Sequence, residues 1–222
     1  MYDSAYFELE APVASTPPLE LRARSAPVQS FCKRTLDILA AATLLLLITP
    51  AFIIVAICIR AESKGPILFR QRRGGLLGKP FMVYKFRSMN VTEDGDQIGQ
   101  ASRKDPRVTR VGAFLRRTSI DELPQLLNVL KGEMSLVGPR PHAVAHDREF
   151  QQRVPTYTRR FAMKPGITGL AQVRGFRGET REAGALEARI ACDLEYIETW
   201  SLWQDIKLLL ATLKVPLDSR AY

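Results

Sequence analysis

Two adjacent carboxylates, Asp121 and Glu122, are the strongest candidates for chemistry in this sequence of 222 residues. They stand near the start of the segment SIDELPQLLNVLKG, whose apolar spacing is typical of a helix. One carboxylate could act as a nucleophile while its neighbour holds a divalent cation. The structural alternative is that Ser119 caps this helix and both acids only complement the helix dipole. Taken alone, the pair favours that alternative.

The surrounding basic residues favour the chemical interpretation. Arg116 and Arg117 lie just upstream of the acids, and Arg140 stands between two prolines in the segment GPRP. Lys85 and Arg87 close a predicted strand and could add positive charge. Guanidinium groups match phosphate oxygens with paired donors, and Mg²⁺ usually takes only one or two protein carboxylates together with substrate phosphates. One acid pair with several cations therefore suits a diphosphate substrate.

Two further motifs could bind ligands but lack supporting residues. His142 and His146 are four residues apart, with Asp147 beside them, and could contribute to a zinc site. No HExxH motif and no third ligand accompany them, so a surface position near the site is favoured. Gly166 and Gly169 in KPGITG are interpreted as turn glycines, with a phosphate-binding loop as the alternative.

Short secondary-structure elements must place these side chains. The pattern predicts a hairpin with a glycine-rich turn, a helical stretch, two breaks and a final helical region. The predicted elements are strands from Ile67 to Arg72 and from Phe81 to Arg87, a helical stretch from Val111, a rigid loop from Gly138 to Pro141, a break at residues 164–169, and a helical region from Ala183 to Leu213. The last region carries Trp200, Trp203 and Lys207, which fit a membrane interface or a core helix equally well.

One segment is long and apolar enough to enter a membrane. The run from Ile38 to Ile59 contains no charged residue, and about 20 apolar residues suffice to cross a bilayer. Basic residues flank both of its ends, whereas the positive-inside rule normally places them on one side. The central pair Thr49 and Pro50 can break the helix, because proline lacks an amide donor and the threonine hydroxyl can bond a freed carbonyl. These features favour a re-entrant helix; a kinked spanning helix and a soluble core helix are the alternatives.

Composition describes a basic chain with enough apolar residues for a core. Apolar residues make up 46% of it, and its net charge of +9 favours an anionic partner: a nucleic acid, an anionic lipid or a phosphorylated substrate. Three widely spaced cysteines without a CxxC pair argue against a disulfide framework and favour a reducing compartment. The expected organisation is a disordered, proline-rich tail over residues 1–30, an anchoring re-entrant helix over 31–62 and a catalytic domain over 63–222.

Five segments resemble the bacterial sugar transferase family, the monotopic polyprenyl-phosphate phosphoglycosyl transferases. They are KRTLDILAAATLLLLITP, PILFRQRRGGLLGKPFMVYKFRSM, KDPRVTRVGAFLRRTSIDELPQLLNVLKGEMSLVGPRP, KPGITGLAQV and DLEYIETWSLWQDIKLLLATL. The resemblance implies that Asp121 attacks the β-phosphate of a UDP-sugar, and that the phosphosugar then passes to undecaprenyl phosphate. It also implies that Glu122 helps to hold Mg²⁺ and that Lys85, Arg116 and Arg140 belong to the phosphate-binding site.

The sequence departs from the family pattern at two places. The family's re-entrant helix breaks at Ser-Pro, where this chain has Thr49 and Pro50; the hydroxyl is kept, so the break is expected to survive. Many members read VNGR after KPGITG, whereas this chain reads VRGFRGET, so Arg177 takes that substrate-binding role only with a shifted register. The segments GPRPHAVAH and GFRGET are similar to the subgroup that uses UDP-glucose. UDP-galactose or an N-acetylated UDP-sugar is the alternative donor.

The resemblance implies an α+β, mainly helical fold: a re-entrant membrane helix hairpin and a small cytoplasmic domain with a β-hairpin and amphipathic interface helices. The expected location is the cytoplasmic face of the bacterial inner membrane, at the first step of exopolysaccharide or capsule repeat-unit assembly. The expected partners are a UDP-sugar, undecaprenyl phosphate and membrane lipid, with Mg²⁺ as cofactor; the oligomeric state is open, and a homodimer is one choice. The Asp121, Glu122 and Arg140 set disfavours a non-catalytic membrane scaffold. The apolar run and the lack of a binding motif disfavour a nucleic-acid-binding protein.

Overall fold

The computed structural model of the chain describes residues 30–90, 105–176 and 184–213, which form the predicted α+β, mainly helical fold. In chain order the elements are α1 (Phe31–Glu62), β1 (Leu68–Gly74), β2 (Pro80–Phe86), α2 (Arg110–Thr118), α3 (Leu126–Lys131), β3 (Ser135–Val137), α4 (Val144–Arg153), β4 (Gly166–Thr168), α5 (Leu170–Val173), α6 (Ala185–Glu198) and α7 (Leu202–Thr212). Short 3₁₀ turns cover Leu76–Gly78, Ile120–Gln125 and Tyr157–Ala162.

The strands β1 and β2 form the predicted hairpin, with bounds that differ by one or two residues from the predicted ones. They pair antiparallel, with Gly74 opposite Pro80 beside the turn. Within the turn, the Gly75 amide donates to the Lys79 carbonyl at 2.9 Å, and a Cβ on Gly75 would lie 2.8 Å from the same oxygen. So close an approach of the backbone requires glycine at this position.

A second, parallel sheet joins β3 to β4, and the hydrophobic pattern does not predict it. Ser135 pairs with Gly166, and Val137 pairs with Thr168. The strands approach so closely that a Cβ on Gly166 would come within 2.1 Å of the Gly138 amide nitrogen. Gly166 is therefore a strand residue in a tight backbone contact rather than the predicted turn glycine. Because β3 leads directly into the GPRP segment, this sheet fixes where that loop begins.

Both helical stretches predicted from the sequence are interrupted. The first divides into α2, a 3₁₀ turn and α3, because Ser119 adopts a left-handed conformation with a φ of 58°. The second divides into α6 and α7 before Ser201, whose hydroxyl accepts the Gln204 amide and caps α7. Trp200 in this break packs partly buried against the core, whereas Trp203 on α7 is 62% exposed. The two tryptophans thus divide between the core and the surface.

The helix α1 is long and apolar enough to cross a membrane, and most of it does not pack on the rest of the protein. In its most apolar stretch of 18 residues, only 6% of the stretch is buried, which excludes a soluble core helix. Such a surface requires an apolar environment and agrees with membrane association. The Thr49 hydroxyl donates to the Leu45 carbonyl at 2.7 Å. Pro50 leaves the Leu46 carbonyl without an amide donor, so this bond is not the predicted one to a freed carbonyl, and α1 continues as one helix through Pro50. The exposed large apolar side chains of α1 include Leu39, Leu46, Leu47, Ile53, Ile54 and Ile57.

The beginning of α1 is anchored in the globular body by buried charges. Lys33 Nζ donates to the Asp205 carboxylate at 2.5 Å and to the Val137 carbonyl at 3.1 Å. The Asp37 carboxylate accepts a hydrogen bond from the Leu136 amide at 2.9 Å. Since Leu136 and Val137 belong to β3, the first turns of α1 are bonded directly to the strand that precedes the GPRP loop.

The end of α1 is anchored in the same body by apolar packing. Ile59 is 2% exposed and packs with Phe86 of β2 and Leu115 of α2. Glu62, the last residue of the helix, accepts a hydrogen bond from the Val111 amide at 3.0 Å. Both ends of one long apolar helix therefore contact the domain that carries the candidate site.

Candidate active site

The pair Asp121 and Glu122 lies in the 3₁₀ turn Ile120–Gln125, directly after the left-handed Ser119. Both side chains are buried, each with a relative exposure of 8%. The Ser119 side chain makes no capping hydrogen bond, so the alternative of a capped helix that uses both acids only for its dipole does not describe this segment. The change of direction at Ser119 instead brings Glu122 against the hairpin and the GPRP loop.

Glu122 binds two cations that come from different parts of the chain. Arg140 Nη1 donates to Oε2 at 2.8 Å and Nη2 donates to Oε1 at 2.5 Å, which makes a bidentate pair. Lys85 Nζ also donates to Oε1, at 2.8 Å. Strand β2 supplies the lysine and the loop after β3 supplies the arginine, so these three predicted site residues meet only in the folded chain.

These contacts determine the charge of each group. Burial opposes ionisation of Glu122, but Arg140 and Lys85 overcome it and hold the pKa of Glu122 well below its usual range. Burial also lowers the pKa of Lys85, against the attraction of Glu122. Glu122 is therefore a carboxylate at neutral pH, and it orders two cations whose charge it only partly neutralises.

Asp121 has the opposite electrostatic environment. Burial raises its pKa, and repulsion by Glu122 adds to this, so that the pKa reaches about 6. Lys85, Arg116 and Arg140 oppose the rise through space. Within the part of the chain that the structure describes, Asp121 lies close to cations but forms no ion pair of its own. A buried carboxylate of raised basicity in such a position is suited to act as a nucleophile.

The position of Arg140 depends on two further arginines, neither of which was predicted as a site residue. Arg160 Nη2 donates to the Arg140 carbonyl at 2.6 Å, and Arg73 Nη1 donates to the Pro141 carbonyl at 2.5 Å. Arg160 is itself buried and paired with Asp193 at 2.8 Å. With the two prolines, these bonds fix the loop while the Arg140 guanidinium contacts Glu122. Sequence reasoning misses both arginines, because their loop partners lie 20 and 68 residues away in the chain.

The two histidines make structural contacts beside this loop, and the favoured surface position is wrong for His142, which is buried against Tyr157 and Phe150. His142 Nδ1 lies 2.6 Å from the Tyr157 hydroxyl, and that hydroxyl donates to the buried Asp147 carboxylate. His146 stacks on Phe150 with 5.8 Å between ring centroids. Burial and neighbouring arginines hold the pKa of His142 well below its usual range, so it is neutral. Within the described ranges, no three His, Cys, Asp or Glu side chains cluster as a metal-binding group.

Of the other arginines predicted near the acids or the substrate, the structure places one in the site and one at the surface. Arg116, in the last turn of α2, acts on Asp121 through space and so belongs to the site. Arg117 is exposed, and its guanidinium lies over the Phe114 ring at 6.0 Å. Arg177 lies outside the described residues, so its predicted substrate-binding role stays a prediction.

Arg87 is turned away from the site. Strand β2 ends at Phe86, and the chain leaves the strand before Arg87 can share a face with Lys85. The Arg87 guanidinium donates instead to the Lys64 carbonyl at 2.6 Å and to the Ser63 carbonyl at 2.7 Å. Its role is to fasten the segment that follows α1.

The donor set of the site fits a hard divalent cation together with an anionic ligand. Asp121 and Glu122 offer adjacent carboxylates, and Glu122 is ionised at neutral pH. Both Glu122 oxygens already accept hydrogen bonds from Lys85 or Arg140. A phosphate that draws these cations away would free a Glu122 oxygen, and Mg²⁺ commonly binds one or two carboxylates plus phosphates. The residues therefore fit Mg²⁺ bound jointly with a phosphorylated substrate.

Comparisons with known proteins assign the chain to a family. The sequence model described as "Bacterial sugar transferase" matches residues 28–219. The chain is 57% identical over 181 residues to the UDP-glucose:undecaprenyl-phosphate glucose-1-phosphate transferase of Caulobacter vibrioides, a match that covers 82% of this chain and 68% of that protein. It is 52% identical over 186 residues to the protein of the same name from Escherichia coli, covering 84% of this chain and 40% of that protein.

A third relative is of nearly the same extent. The exopolysaccharide production protein PSS of Rhizobium leguminosarum bv. phaseoli is 47% identical over 185 residues, which cover 82% of this chain and 92% of that protein. The chain thus spans less than half of the E. coli relative but most of the other two. From the family match over residues 28–219 and the identities above, the chain belongs to the bacterial sugar transferase family.

Proposed function

We propose that this protein transfers glucose 1-phosphate from UDP-glucose to undecaprenyl phosphate and releases UMP. The observation that carries the proposal is the buried Asp121, a carboxylate of raised pKa beside two cations that Glu122 orders. The names of the C. vibrioides and E. coli relatives supply the donor and the acceptor. UDP-galactose and N-acetylated UDP-sugars are the alternative donors for the same chemistry. The product would begin a repeat unit of an exopolysaccharide or capsule.

In the first step, a carboxylate oxygen of Asp121 attacks the β-phosphorus of UDP-glucose. The bond between that phosphorus and the oxygen bridging to the α-phosphate breaks, and UMP leaves with the bridging oxygen. Glucose 1-phosphate is then joined to Asp121 as an acyl phosphate. Burial favours this step, because a poorly hydrated carboxylate of raised basicity is a stronger nucleophile than a fully hydrated one.

In the second step, a phosphate oxygen of undecaprenyl phosphate attacks the same phosphorus. The bond to Asp121 breaks, its carboxylate is restored, and undecaprenyl diphosphate glucose is formed. Both attacking groups are anions before they react, so neither step requires a general base. His142 is neutral and engaged with Tyr157, which is consistent with a mechanism that needs no general base.

The cations on Glu122 are proposed to move onto the donor's diphosphate when it binds. Arg140 can offer its two donors to phosphate oxygens as it now offers them to the carboxylate. Lys85 follows as a second charge, and Arg116 adds a third from the end of α2. Mg²⁺ held by Glu122 and the diphosphate would supply further positive charge for the departing UMP. Glu122 therefore keeps the cations ordered until the substrate replaces it.

The pKa of Asp121 sets the expected pH dependence of the reaction. Because only the ionised carboxylate attacks, kcat/KM for UDP-glucose should fall about tenfold per pH unit below its pKa of about 6 and reach a plateau at higher pH. Initial rates of UMP release at constant ionic strength measure this profile. An acidic limb centred near the ordinary aspartate value of 3.8 would contradict the raised pKa.

The helix α1 is proposed to be re-entrant, with both ends at the cytoplasmic face of the inner membrane. A straight helix of 32 residues is about 48 Å long at ~1.5 Å per residue, more than the ~30 Å of the hydrocarbon core. A spanning helix would place the buried contacts of Lys33 and those of Ile59 on opposite sides of the bilayer, although both are made to one body. Trp203, Leu210 and Phe114 are exposed on α7 and α2 and suit a position at the membrane interface.

Cysteine labelling tests this topology. In a variant whose three cysteines are replaced by alanine, single cysteines at Phe31 and Ala61, both exposed, report on the two ends of α1. A membrane-impermeant maleimide should label neither position in intact spheroplasts and both in inverted membrane vesicles. A cysteine at Leu47, within the apolar run, should be protected in both preparations. Labelling of either end in intact spheroplasts would show that α1 spans the membrane.

The donor assignment is tested with purified protein, undecaprenyl phosphate, Mg²⁺ and a panel of UDP-sugars. We expect UDP-glucose to release UMP roughly tenfold or more faster than UDP-galactose or the N-acetylated UDP-sugars. A site that hydrogen-bonds the hydroxyls of glucose would leave its own polar groups unpaired when a sugar with a different substituent pattern binds. Release from UDP-galactose but not from UDP-glucose would change the donor and leave the mechanism intact. No UMP from any donor would favour a non-catalytic membrane scaffold.

A further inference from the structure

A shallow groove of about 480 Å³ lies between the β-hairpin and α3. Its volume falls within the ~300–1,000 Å³ that ligand pockets commonly have. The residues that line it are three leucines, one tyrosine and two exposed cations: Leu68, Leu127, Leu130, Tyr84, Arg70 and Lys131. The groove thus combines an apolar surface with positive charge. None of its residues belongs to the Glu122 cluster, which consists of Glu122, Asp121, Lys85 and Arg140.

Tyr84 holds both cations of the groove. Arg70 lies opposite Tyr84 in the hairpin, and its guanidinium carbon is 5.5 Å from the ring centroid. Lys131 Nζ is 4.5 Å from the same centroid and donates to the Tyr84 hydroxyl at 2.6 Å. Asn128 of α3 accepts the Tyr84 amide at 3.1 Å, which fixes the helix against the strand. Two like charges on one ring repel each other, and an anion between them would relieve that repulsion.

The groove adjoins the part of α1 that is proposed to enter the membrane. Leu68 packs in the cluster that includes Phe52 of α1. Leu130 packs in the cluster that includes Leu45 and Ile48 of the same helix. Two of the three leucines of the groove therefore belong to apolar clusters that also include residues of α1, on either side of its central Thr-Pro pair.

We propose that this groove binds the headgroup of an anionic phospholipid, with its phosphate between Arg70 and Lys131 and the start of an acyl chain on the leucines. The inference rests on the membrane insertion of α1 in the proposed function. Basic pockets beside membrane helices bind anionic headgroups, and each cation near an anionic membrane surface strengthens binding about fivefold. A lipid bound here would fix the depth of the hairpin in the leaflet, and with it the height of Asp121 above the acceptor.

The acceptor phosphate is a different ligand from this headgroup. Tyr84 and Lys85 are consecutive in β2, and consecutive side chains of a strand point to opposite faces. Since Lys85 contacts Glu122, the Tyr84 groove opens on the other face of the hairpin from the nucleophile. A phosphate held by Arg70 and Lys131 therefore positions the protein and does not attack the phosphosugar.

Native mass spectrometry of the full chain in micelles tests the proposal with phosphatidylglycerol and phosphatidylcholine as probes. The wild-type protein should retain phosphatidylglycerol in preference, and the double variant R70Q/K131Q should weaken that binding about thirtyfold, with about fivefold for each single variant. The matched control K79Q/R153Q removes the same charge from two other exposed positions and should bind as the wild type does. Circular dichroism confirms that each variant is folded.

Three outcomes would overturn the proposal. The first is equal retention of phosphatidylglycerol by the wild type and R70Q/K131Q, and the second is an equal loss in the K79Q/R153Q control, which would mean a non-specific charge effect. The third is a loss of undecaprenyl phosphate binding, but not of phosphatidylglycerol binding, in R70Q/K131Q, which would assign the groove to the acceptor. Lipid retention needs no turnover, so failure of this proposal and failure of the transferase mechanism are distinguishable.

Discussion

Replacing Asp121 with Asn is expected to reduce UMP release by about 10⁴-fold or more, since loss of a covalent nucleophile typically has an effect of this size. The amide has the shape of the carboxylate, so the loss reports on nucleophilicity rather than on packing. Steady-state and single-turnover UMP release measure it. Turnover within about tenfold of the wild type would exclude an aspartyl intermediate.

The same substitution is expected to stabilise the protein. The pKa of Asp121 rises from 3.8 to about 6 on folding, so the wild type loses stability as the pH increases through that interval and stays destabilised above it. Asn carries no such charge, and Asp121→Asn should raise Tm at neutral pH by about 5 °C, with the difference shrinking as the pH falls below 6. Thermal unfolding at several pH values measures the shift.

Asp147 provides the matched control for the loss of turnover. It is also buried, and burial raises its pKa to about 6. Its carboxylate, however, accepts the Tyr157 hydroxyl and is not part of the Glu122 cluster. Asp147→Asn should therefore keep turnover within about tenfold of the wild type, as expected for a residue that touches no reacting atom. A loss as large as that of Asp121→Asn would mean that burial of charge, not nucleophilic attack, explains the effect.

Arg140→Ala is expected to lower kcat/KM by about 10³-fold, because a preorganised donor to the developing phosphate charge is lost. Arg140→Lys should recover only a small part, since an ammonium group cannot replace the bidentate contact now made to Glu122. Kinetics with UDP-glucose as the varied substrate separate an effect on kcat from one on KM. Full activity of Arg140→Lys would mean that charge alone, without paired donors, is sufficient.

Arg117→Ala is the control for the arginine series. Arg117 is exposed and lies over Phe114, and it contacts none of the site residues described above. Arg117→Ala removes the same charge and the same side chain as Arg140→Ala does. We expect kcat/KM to change less than about threefold, because the charge of Arg117 is exposed and screened. An effect equal to that of Arg140→Ala would assign the loss to net charge rather than to the geometry of the GPRP loop.

Local patterns in the sequence are sufficient to predict the elements that have strong hydrophobic periodicity. The run from Ile38 to Ile59 predicts a membrane-length helix, and α1 contains this run. The glycines between two short segments of strand-like sequence predict the hairpin, and β1 and β2 form it. Asp121, Glu122, Lys85 and Arg140 were predicted by residue type, and all four meet in the folded chain. These signals are contained within short windows, which is why they could be read before the fold.

Features that depend on distant contacts were not predictable. The strands β3 and β4 have three residues each, too few for an alternation, and their pairing uses the close approach of Gly166 and Gly138. The left-handed turn at Ser119 interrupts a pattern that is continuous in the sequence. Arg160 positions Arg140 through a backbone carbonyl, a contact that no side-chain pattern encodes.

The most direct test of the mechanism is to mix the protein with UDP-glucose in the absence of undecaprenyl phosphate, quench in acid and analyse peptides by mass spectrometry. We expect a burst of UMP that does not exceed one equivalent of protein. We also expect one hexose phosphate on the peptide that contains Asp121, and its loss when undecaprenyl phosphate is added before the quench. UMP release that requires the acceptor from the start, with no modified peptide, would contradict the covalent mechanism and indicate direct transfer between the two substrates.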